Sequence, residues 1–519
     1  MKFNIKNVWA TDVIENYEGE TAYKMSPEME LYSAVVTTSL HNNFYEKDVK
    51  RLERLQSLID ENHPEFVAQL AVYAREKMNL RSVPLVLLTE LAKVNNGNSL
   101  VSKATERVIS RADEITELLA CYQLANNRSN GTKKLNRLSR QLQKGVAASF
   151  NKFDEYQFAK YNRGVRSKSS VSLKDALFIT HPKAKDASQQ ELFDKIATDN
   201  LQVPYTWETE LSKIGQAQYA NEQEKKAAFT AKWEELIESG KLGYMAILRN
   251  LRNMLEAEVS YAHIKMVANK LSNAGQVRRS KQLPFRFLSA YRELALLKST
   301  DVSILMNALE KAVAVSVENM KGFNSNTKVL LASDVSGSMM QSISPRSTVQ
   351  YYDIGLLLSM LLKNRCERVI SGIFGDSWLQ VNMPSGNILQ NVSKLKKLQN
   401  KVGFSTNGHL VINELIRTKT KLDKVMFFTD MQMWNSANYN TTKSNKSALE
   451  LAWNDYKRLV APKAKLYLFD LAGYGQLPIR VNRSAGTYLL AGWSDKVFDM
   501  LDALERGADV IDEIKSLEI

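Results

Sequence analysis

The chain has 519 residues, 44% of them hydrophobic, and its 70 Lys and Arg outweigh 56 Asp and Glu to give a formal charge of +14. That length and apolar content supply two or more packed cores and exclude a wholly disordered chain. Two thiols, Cys121 and Cys366, exclude a disulfide scaffold and point to a reducing compartment.

The opening run Met1-Lys2-Phe3-Asn4-Ile5 lacks the apolar core of a signal peptide, and no apolar run is long enough to cross a bilayer. The expectation is a soluble, cytoplasmic protein with no membrane partner. After an N-terminal segment, 1–25, the pattern over 26–321 is helix after helix with short polar joints. Apolar spacing predicts helices over 28–40, 49–59, 64–75 and 83–94, and later over 244–256 and 283–297. Paired amphipathic helices over this length predict an α-solenoid of HEAT-like helical hairpins, each burying its apolar face on its neighbours.

Most of the charge lies in one window of that region. Residues 119–185 carry 14 basic side chains against three acidic ones, a net +11 out of +14. Phe150, Phe153, Tyr156, Phe158 and Tyr161 are interleaved, and His181 closes the stretch. Cations that meet phosphates, and rings on which bases stack, are what RNA binding requires. The candidate contacts are Lys133, Lys134, Arg137, Arg140, Lys160, Arg163, Arg166, His181 and Lys183. A solvated basic face is the competing reading, with Leu135, Leu138 and Leu142 of a helix over 133–144 packing inward. Such a face normally mixes both signs, which this one does not. Residues 162–172 read as an exposed loop and 275–281 as a basic turn.

At Gly322 the period changes. From there the sequence predicts strands over 329–332, 369–374, 425–429 and 466–469, alternating with helices over 352–362, 407–416 and 448–460. Short, wholly apolar strands between helices imply a parallel sheet covered on both faces, so 327–519 is expected to be a doubly wound α/β domain.

Its first strand ends in Asp334-Val335-Ser336-Gly337-Ser338 at the carboxyl edge, where ligand sites form in such folds. Two hydroxyls and a carboxylate supply half of the oxygen shell of a hard divalent cation. Thr406, opening a later helix, and Asp430, after the strand over 425–429, add a hydroxyl and a carboxylate. The set resembles the metal-ion-dependent adhesion site of von Willebrand factor A domains. The resemblance implies Ser336, Ser338 and Thr406 as direct ligands of Mg²⁺ or Mn²⁺, Asp334 and Asp430 acting through water, and an open position for a partner's carboxylate. Catalysis is not expected. An aspartyl-phosphate enzyme wants a second carboxylate where Ser336 stands, and a serine hydrolase wants a base, whereas His409, the one histidine of the domain, reads as a packing or surface residue.

A basic helical-repeat domain followed by such an A domain resembles the Ro autoantigen family, bacterial members included, built on the TROVE module. Lys160-Tyr161-Asn162-Arg163-Gly164 followed by Thr180-His181-Pro182-Lys183 is similar to its basic segment, and Leu248-Arg249-Asn250-Leu251 to its Leu-Leu-Arg-Asn-Leu stretch. Leu283-Pro284-Phe285 and Leu331-Ala332-Ser333-Asp334 match two further blocks, whereas Gly403-Phe404-Ser405-Thr406 departs from the usual Gly-Gly-Thr. The resemblance implies a monomeric ring, the helical repeats closed by the A domain. Small Y-like RNAs would bind outside, and single-stranded 3′ ends of misfolded RNAs would enter the central hole. It also implies an exoribonuclease partner such as polynucleotide phosphorylase. Lys160, Arg163 and His181 fall on its Y-RNA-contacting positions, with Arg166 able to take the place of Arg163. Arg249 reads as a buried helix-to-helix ion-pair residue rather than an RNA ligand, and the basic turn that carries Arg278 stands open between phosphate contact and an ordinary solvated loop. The rival function is a metal-dependent protein-interaction scaffold on which RNA is incidental.

Overall fold

The structure is a computed structural model that describes residues 12–37, 48–95, 97–126, 138–162, 171–318, 322–344, 347–438 and 446–519. The chain forms two compact units. One is α/β and gathers the described residues of Met1–Leu52, Ile247–Leu255 and Ile264–Gly507; the other is helical and gathers those of Glu53–Ala246, Glu256–His263 and Ala508–Ile519. Among the described residues no helix is long and apolar enough to cross a membrane.

The α/β unit is built on strands β1 (Val13–Glu15), β2 (Thr21–Lys24), β3 (Lys328–Asp334), β4 (Arg368–Phe374), β5 (Trp378–Gln380), β6 (Lys424–Thr429), β7 (Lys465–Asp470), β8 (Gln476–Leu477) and β9 (Thr487–Ala491). Its main sheet runs β5-β4-β3-β6-β7-β9, parallel except for the edge strand β5. Register sets Leu330 beside Val425 and Ala332 beside Phe427, which continue to Leu466 and Leu468. These residues share one face because side chains alternate along a strand. That face packs on Val411, Ile412 and Leu415 of the helix Gly408–Arg417 and on Leu449, Trp453 and Tyr456 of the helix Ala448–Leu459. The helix Tyr351–Lys363 is buried along its whole length, as its near-continuous apolar sequence requires.

The predicted alternation of strands and helices is therefore present, with β5, β8 and β9 and the helices Ile388–Lys396 and Lys496–Glu505 added. The expected boundary at 25/26 falls inside one unit. β1 and β2 form a hairpin that pairs antiparallel with β8, and Tyr23 and Met25 belong to the sheet's core. Strands this short carry too little periodicity to be read without their partner. The expected turn over 275–281 is instead the helix Ala274–Ser280, capped by Asn273 and closed by Lys281 in the left-handed region, with Arg278 paired to Glu318. Its single buried residue, Val277, is too weak a pattern to announce a helix.

In the helical unit Pro64–Glu76 packs on Ser82–Val94 and on Leu100–Val108, Ser82–Val94 on Ala112–Ala125, Leu100–Val108 on Arg140–Phe150, and that helix on Leu173–Thr180. A helix that meets its neighbour and the next but one is the stacking of helical hairpins. An ion pair braces the stack: Arg75 Nη2 lies 2.6 Å from Glu114 Oε1, and its Nε donates to Val108 O at 3.1 Å. Burial pushes the Glu114 carboxyl up, against the pull of Arg75 and Arg81. The helix expected over 133–144 begins at Arg140 instead, with Leu138 outside it; residues 133–137 lie outside the described residues.

Candidate nucleic-acid interface and metal centre

Of the nine candidate RNA contacts, Lys133, Lys134, Arg137, Arg163 and Arg166 lie outside the described residues. Arg140, Lys160, His181 and Lys183 are described, and all four are exposed. His181 ends the helix Leu173–Thr180 in the left-handed conformation, φ 45°, its N–H donating to Leu177 O at 2.9 Å. This turn directs the chain over the helix Arg140–Phe150. Two amides fasten it there: Gln143 Nε2 donates to Ile179 O and Asn151 Nδ2 to Lys183 O, both at 3.0 Å. The result is a pocket of about 460 Å³ lined by Gln143, Lys144, Asn151, Thr180, His181 and Lys183. Asn151 Oδ1 is buried there without a partner. Arg140 lies one turn before Lys144 on the same helix face.

Lys160 has a different setting. Its ammonium lies 5.7 Å from the Tyr156 ring centre and 5.6 Å from that of Tyr161, with Arg111 over Tyr161 at 4.8 Å. The reading of the interleaved rings as base-stacking platforms needs correction. Phe150, Phe153 and Phe158 are buried and pack on one another, because their spacing points them into the helical stack. Tyr156, 50% exposed beside Lys160, presents a ring to solvent, and so does Phe178, 54% exposed on the helix that ends in His181. Phe178 was not singled out from sequence; its place outside the apolar stripe Leu173, Ala176, Leu177 is the signal that marks it. Lys174 is tied to Asp199 at 2.7 Å, and the Lys152 ammonium donates to backbone carbonyls of Glu106 and Ile109.

In the α/β unit Asp334 ends β3 and Asp430 follows β6, the adjacent strand, so their carboxylates meet at the carboxyl edge. Asp334 Oδ1 accepts the Ser336 N–H at 2.9 Å, and Oδ2 accepts the Thr429 hydroxyl at 2.6 Å. The Ser336 and Ser338 hydroxyl oxygens lie 3.3 Å apart. The Thr406 loop is brought in by its backbone, where Gly337 N donates to Phe404 O at 2.8 Å and Asn407 N to Gly375 O at 3.0 Å. Gly403 has φ +76° and no room for a side chain: a Cβ would lie 1.9 Å from Asp376 Oδ2. All five residues, Asp334, Ser336, Ser338, Thr406 and Asp430, are buried.

Burial pushes the Asp334 and Asp430 carboxyls well up, and Asp430 is raised further by the charge of Asp334. Asp430 Oδ2 is buried without a hydrogen-bond partner, and so is the side-chain nitrogen of its neighbour Gln432. Two carboxylates, one of them with an orphaned oxygen, and three hydroxyls fit an oxygen-loving divalent ion. His409 is buried and its imidazole is pushed down to about 4 by desolvation, so it is the packing residue of the two readings offered for it.

Comparison with known proteins decides the family. The TROVE domain model matches residues 29–232 and 199–321, more than half of the chain. The chain belongs to the TROVE domain family. TROVE proteins bind RNA. This TROVE chain is 27% identical over 310 residues to telomerase protein component 1 of Rattus norvegicus, a match spanning 46% of the chain and 11% of that protein. It is 25% identical over 344 residues to the Mus musculus protein, across 51% of the chain and 13% of the relative. The chain thus spans only a small part of these relatives. Among solved structures the Ro (RSR) protein of Deinococcus radiodurans matches 93% of the TROVE chain and all of its own, with TM-score 0.58 and 17% identity. At that identity the match establishes a shared fold, helical repeats with an α/β unit.

Proposed function

We propose that this protein is a non-enzymatic, cytoplasmic RNA-binding protein of noncoding-RNA quality control. It holds a small structured, Y-like RNA on the basic face of its helical unit and takes up single-stranded 3′ ends of misfolded RNA for an exoribonuclease such as polynucleotide phosphorylase. The observation that carries the RNA reading is the pocket where Lys144, His181 and Lys183 converge, inside the window that holds most of the net charge. Cations there neutralise phosphates, and Tyr156 and Phe178 offer faces to unpaired bases. In a filter-binding titration with a structured small RNA, affinity falls steeply with salt, and Lys144→Glu with Lys183→Glu lowers the salt slope by about 2. A flat salt response, or an unchanged slope in the double variant, rejects the reading.

Ser336, Ser338 and Thr406, supported by Asp334 and Asp430, are proposed to hold Mg²⁺ or Mn²⁺. The bound cation would supply positive charge with an open position for a carboxylate of a protein partner. One observation favours this second activity. Gly337 is bonded through its N–H to Phe404 O and through its O to Met340 N, and Phe404 and Met340 are 49% and 40% exposed. The site thus has an apolar rim. Asp334→Ala separates the two activities: RNA affinity is retained while Mn²⁺ binding is lost, and loss of RNA affinity by the folded variant contradicts the placing of RNA on the helical unit.

A further inference from the structure

We infer that the hairpin of β1 and β2 is a positioning element of the metal centre, with Asn16 and Glu20 fixing the loop that carries Asp430. This rests on the reading of Asp334, Ser336, Ser338, Thr406 and Asp430 as a cation site.

The argument starts from the loop. Directly after Asp430, Met431 has φ +67°, a backbone conformation that costs a side-chain-bearing residue energy unless its surroundings enforce it. The residues that follow turn alternately to the metal loops and to the hairpin. Gln432 N donates to Asp430 Oδ1 at 3.0 Å, Trp434 N to Thr406 O at 3.2 Å and Ser436 N to Asn407 Oδ1 at 3.0 Å. Facing the hairpin, Gln432 Oε1 accepts the Tyr17 N–H at 3.0 Å, Met433 O accepts from Asn16 Nδ2 at 2.8 Å and Asn435 N donates to Glu20 Oε2 at 3.2 Å. A backbone segment bonded alternately to the two sides has little freedom to shift. Asp430 and the Thr406 loop are therefore set in part by residues more than 400 positions away in sequence.

The hairpin is itself suited to the task. Asn16 is buried, and its Oδ1 accepts the N–H groups of Glu18 at 3.0 Å and Glu20 at 2.9 Å, which closes the turn while its amide nitrogen stays aimed at Met433. Glu20 uses its other oxygen to accept the Ala448 N–H at 3.2 Å, anchoring the same carboxylate to the start of the helix Ala448–Leu459. Residues that orient metal ligands through hydrogen bonds change affinity by about ten- to a hundredfold when removed.

The test is Mn²⁺ affinity of the full chain by isothermal titration, alongside thermal unfolding in chelator. Asn16→Asp keeps the one oxygen that accepts both turn-closing N–H groups and removes the donor to Met433. It also adds negative charge near the site, which by simple attraction would tighten cation binding, so weaker binding is a stringent sign of lost positioning. The expected result is one site in the parent protein, about tenfold or more weaker in Asn16→Asp and in Glu20→Ala, partly recovered in Glu20→Gln, with unfolding in chelator shifted by no more than a few degrees. Parent-like affinity in Asn16→Asp and Glu20→Ala overturns the positioning role and leaves the hairpin as a sheet-edge cover. No Mn²⁺ binding by the parent overturns the metal reading itself, and this inference with it.

Discussion

Lys152 sits in the middle of the basic window, yet its ammonium donates to the backbone oxygens of Glu106 and, at 3.0 Å, Ile109, at the end of the helix Leu100–Val108. Burial pushes its pKa down. A charge spent on helix-end carbonyls stabilises the fold and is withheld from phosphate. Lys152→Ala should cost about 1 kcal/mol of stability and leave RNA affinity unchanged, whereas Lys144→Ala should do the reverse; paired melting and binding curves check this. Cys121 behaves similarly as a single residue. Burial, with help from Glu117, pushes its thiol up to about 11, so at pH 8 its alkylation by iodoacetamide should be ~200-fold slower than that of an ordinary thiol near 8.5. Because the folded state keeps a proton that the unfolded chain releases above about 8.5, this thiol weakens the fold progressively as pH rises from there toward 11.

At the scale of elements, the basic pocket depends on how closely two helices approach. Gly145, in the helix that carries Arg140 and Lys144, faces Leu100–Val108 so tightly that a Cβ would lie 2.6 Å from Ser102 O and 2.6 Å from Thr105 Cβ. Gly145→Ala should destabilise by about 1–3 kcal/mol through overpacking, despite alanine's better helix propensity, and should weaken RNA binding by shifting Lys144 away from His181. Glu114→Ala acts one layer deeper. It leaves Arg75, which is largely buried, without its carboxylate, and a loss of about 3 kcal/mol in denaturant unfolding is expected. The two helix types differ in legibility. Ser82–Val94 is apolar on most of its surface and is readable within a residue or two, while Ala274–Ser280 and the hairpin strands are held by caps and partners that leave no periodic trace.

Across the whole molecule, the charge and the cation site lie in different units. The 119–185 window falls in the helical unit, and the Asp334 site falls in the α/β unit, whose residues 326–507 hold 23 basic side chains against 14 acidic. Salt should therefore weaken RNA binding without affecting Mn²⁺ stoichiometry, and chelator should leave RNA binding intact; coupling between the two titrations would show that the sites communicate. The last residues of the chain belong to the helical unit, where Gln69 Nε2 donates to Lys515 O at 2.9 Å and to Leu517 O at 3.0 Å. No local pattern in 508–519 announces that return.

Legible in the chain before it folds are the two-part plan of helical repeats and doubly wound sheet, the concentration of charge in one window, and the residue types of the Asp334 site. Each of these is written in local periodicity, composition or spacing. Tertiary structure decided which of those residues act together. It turned Phe150, Phe153 and Phe158 inward, tied the Lys152 ammonium to backbone carbonyls, gathered Lys144, His181 and Lys183 around one pocket, and laid the N-terminal hairpin against the loop after Asp430. The physical reason is that burial and hydrogen bonding between distant segments depend on packing, and packing over hundreds of residues leaves no signature in the short windows where periodicity is read.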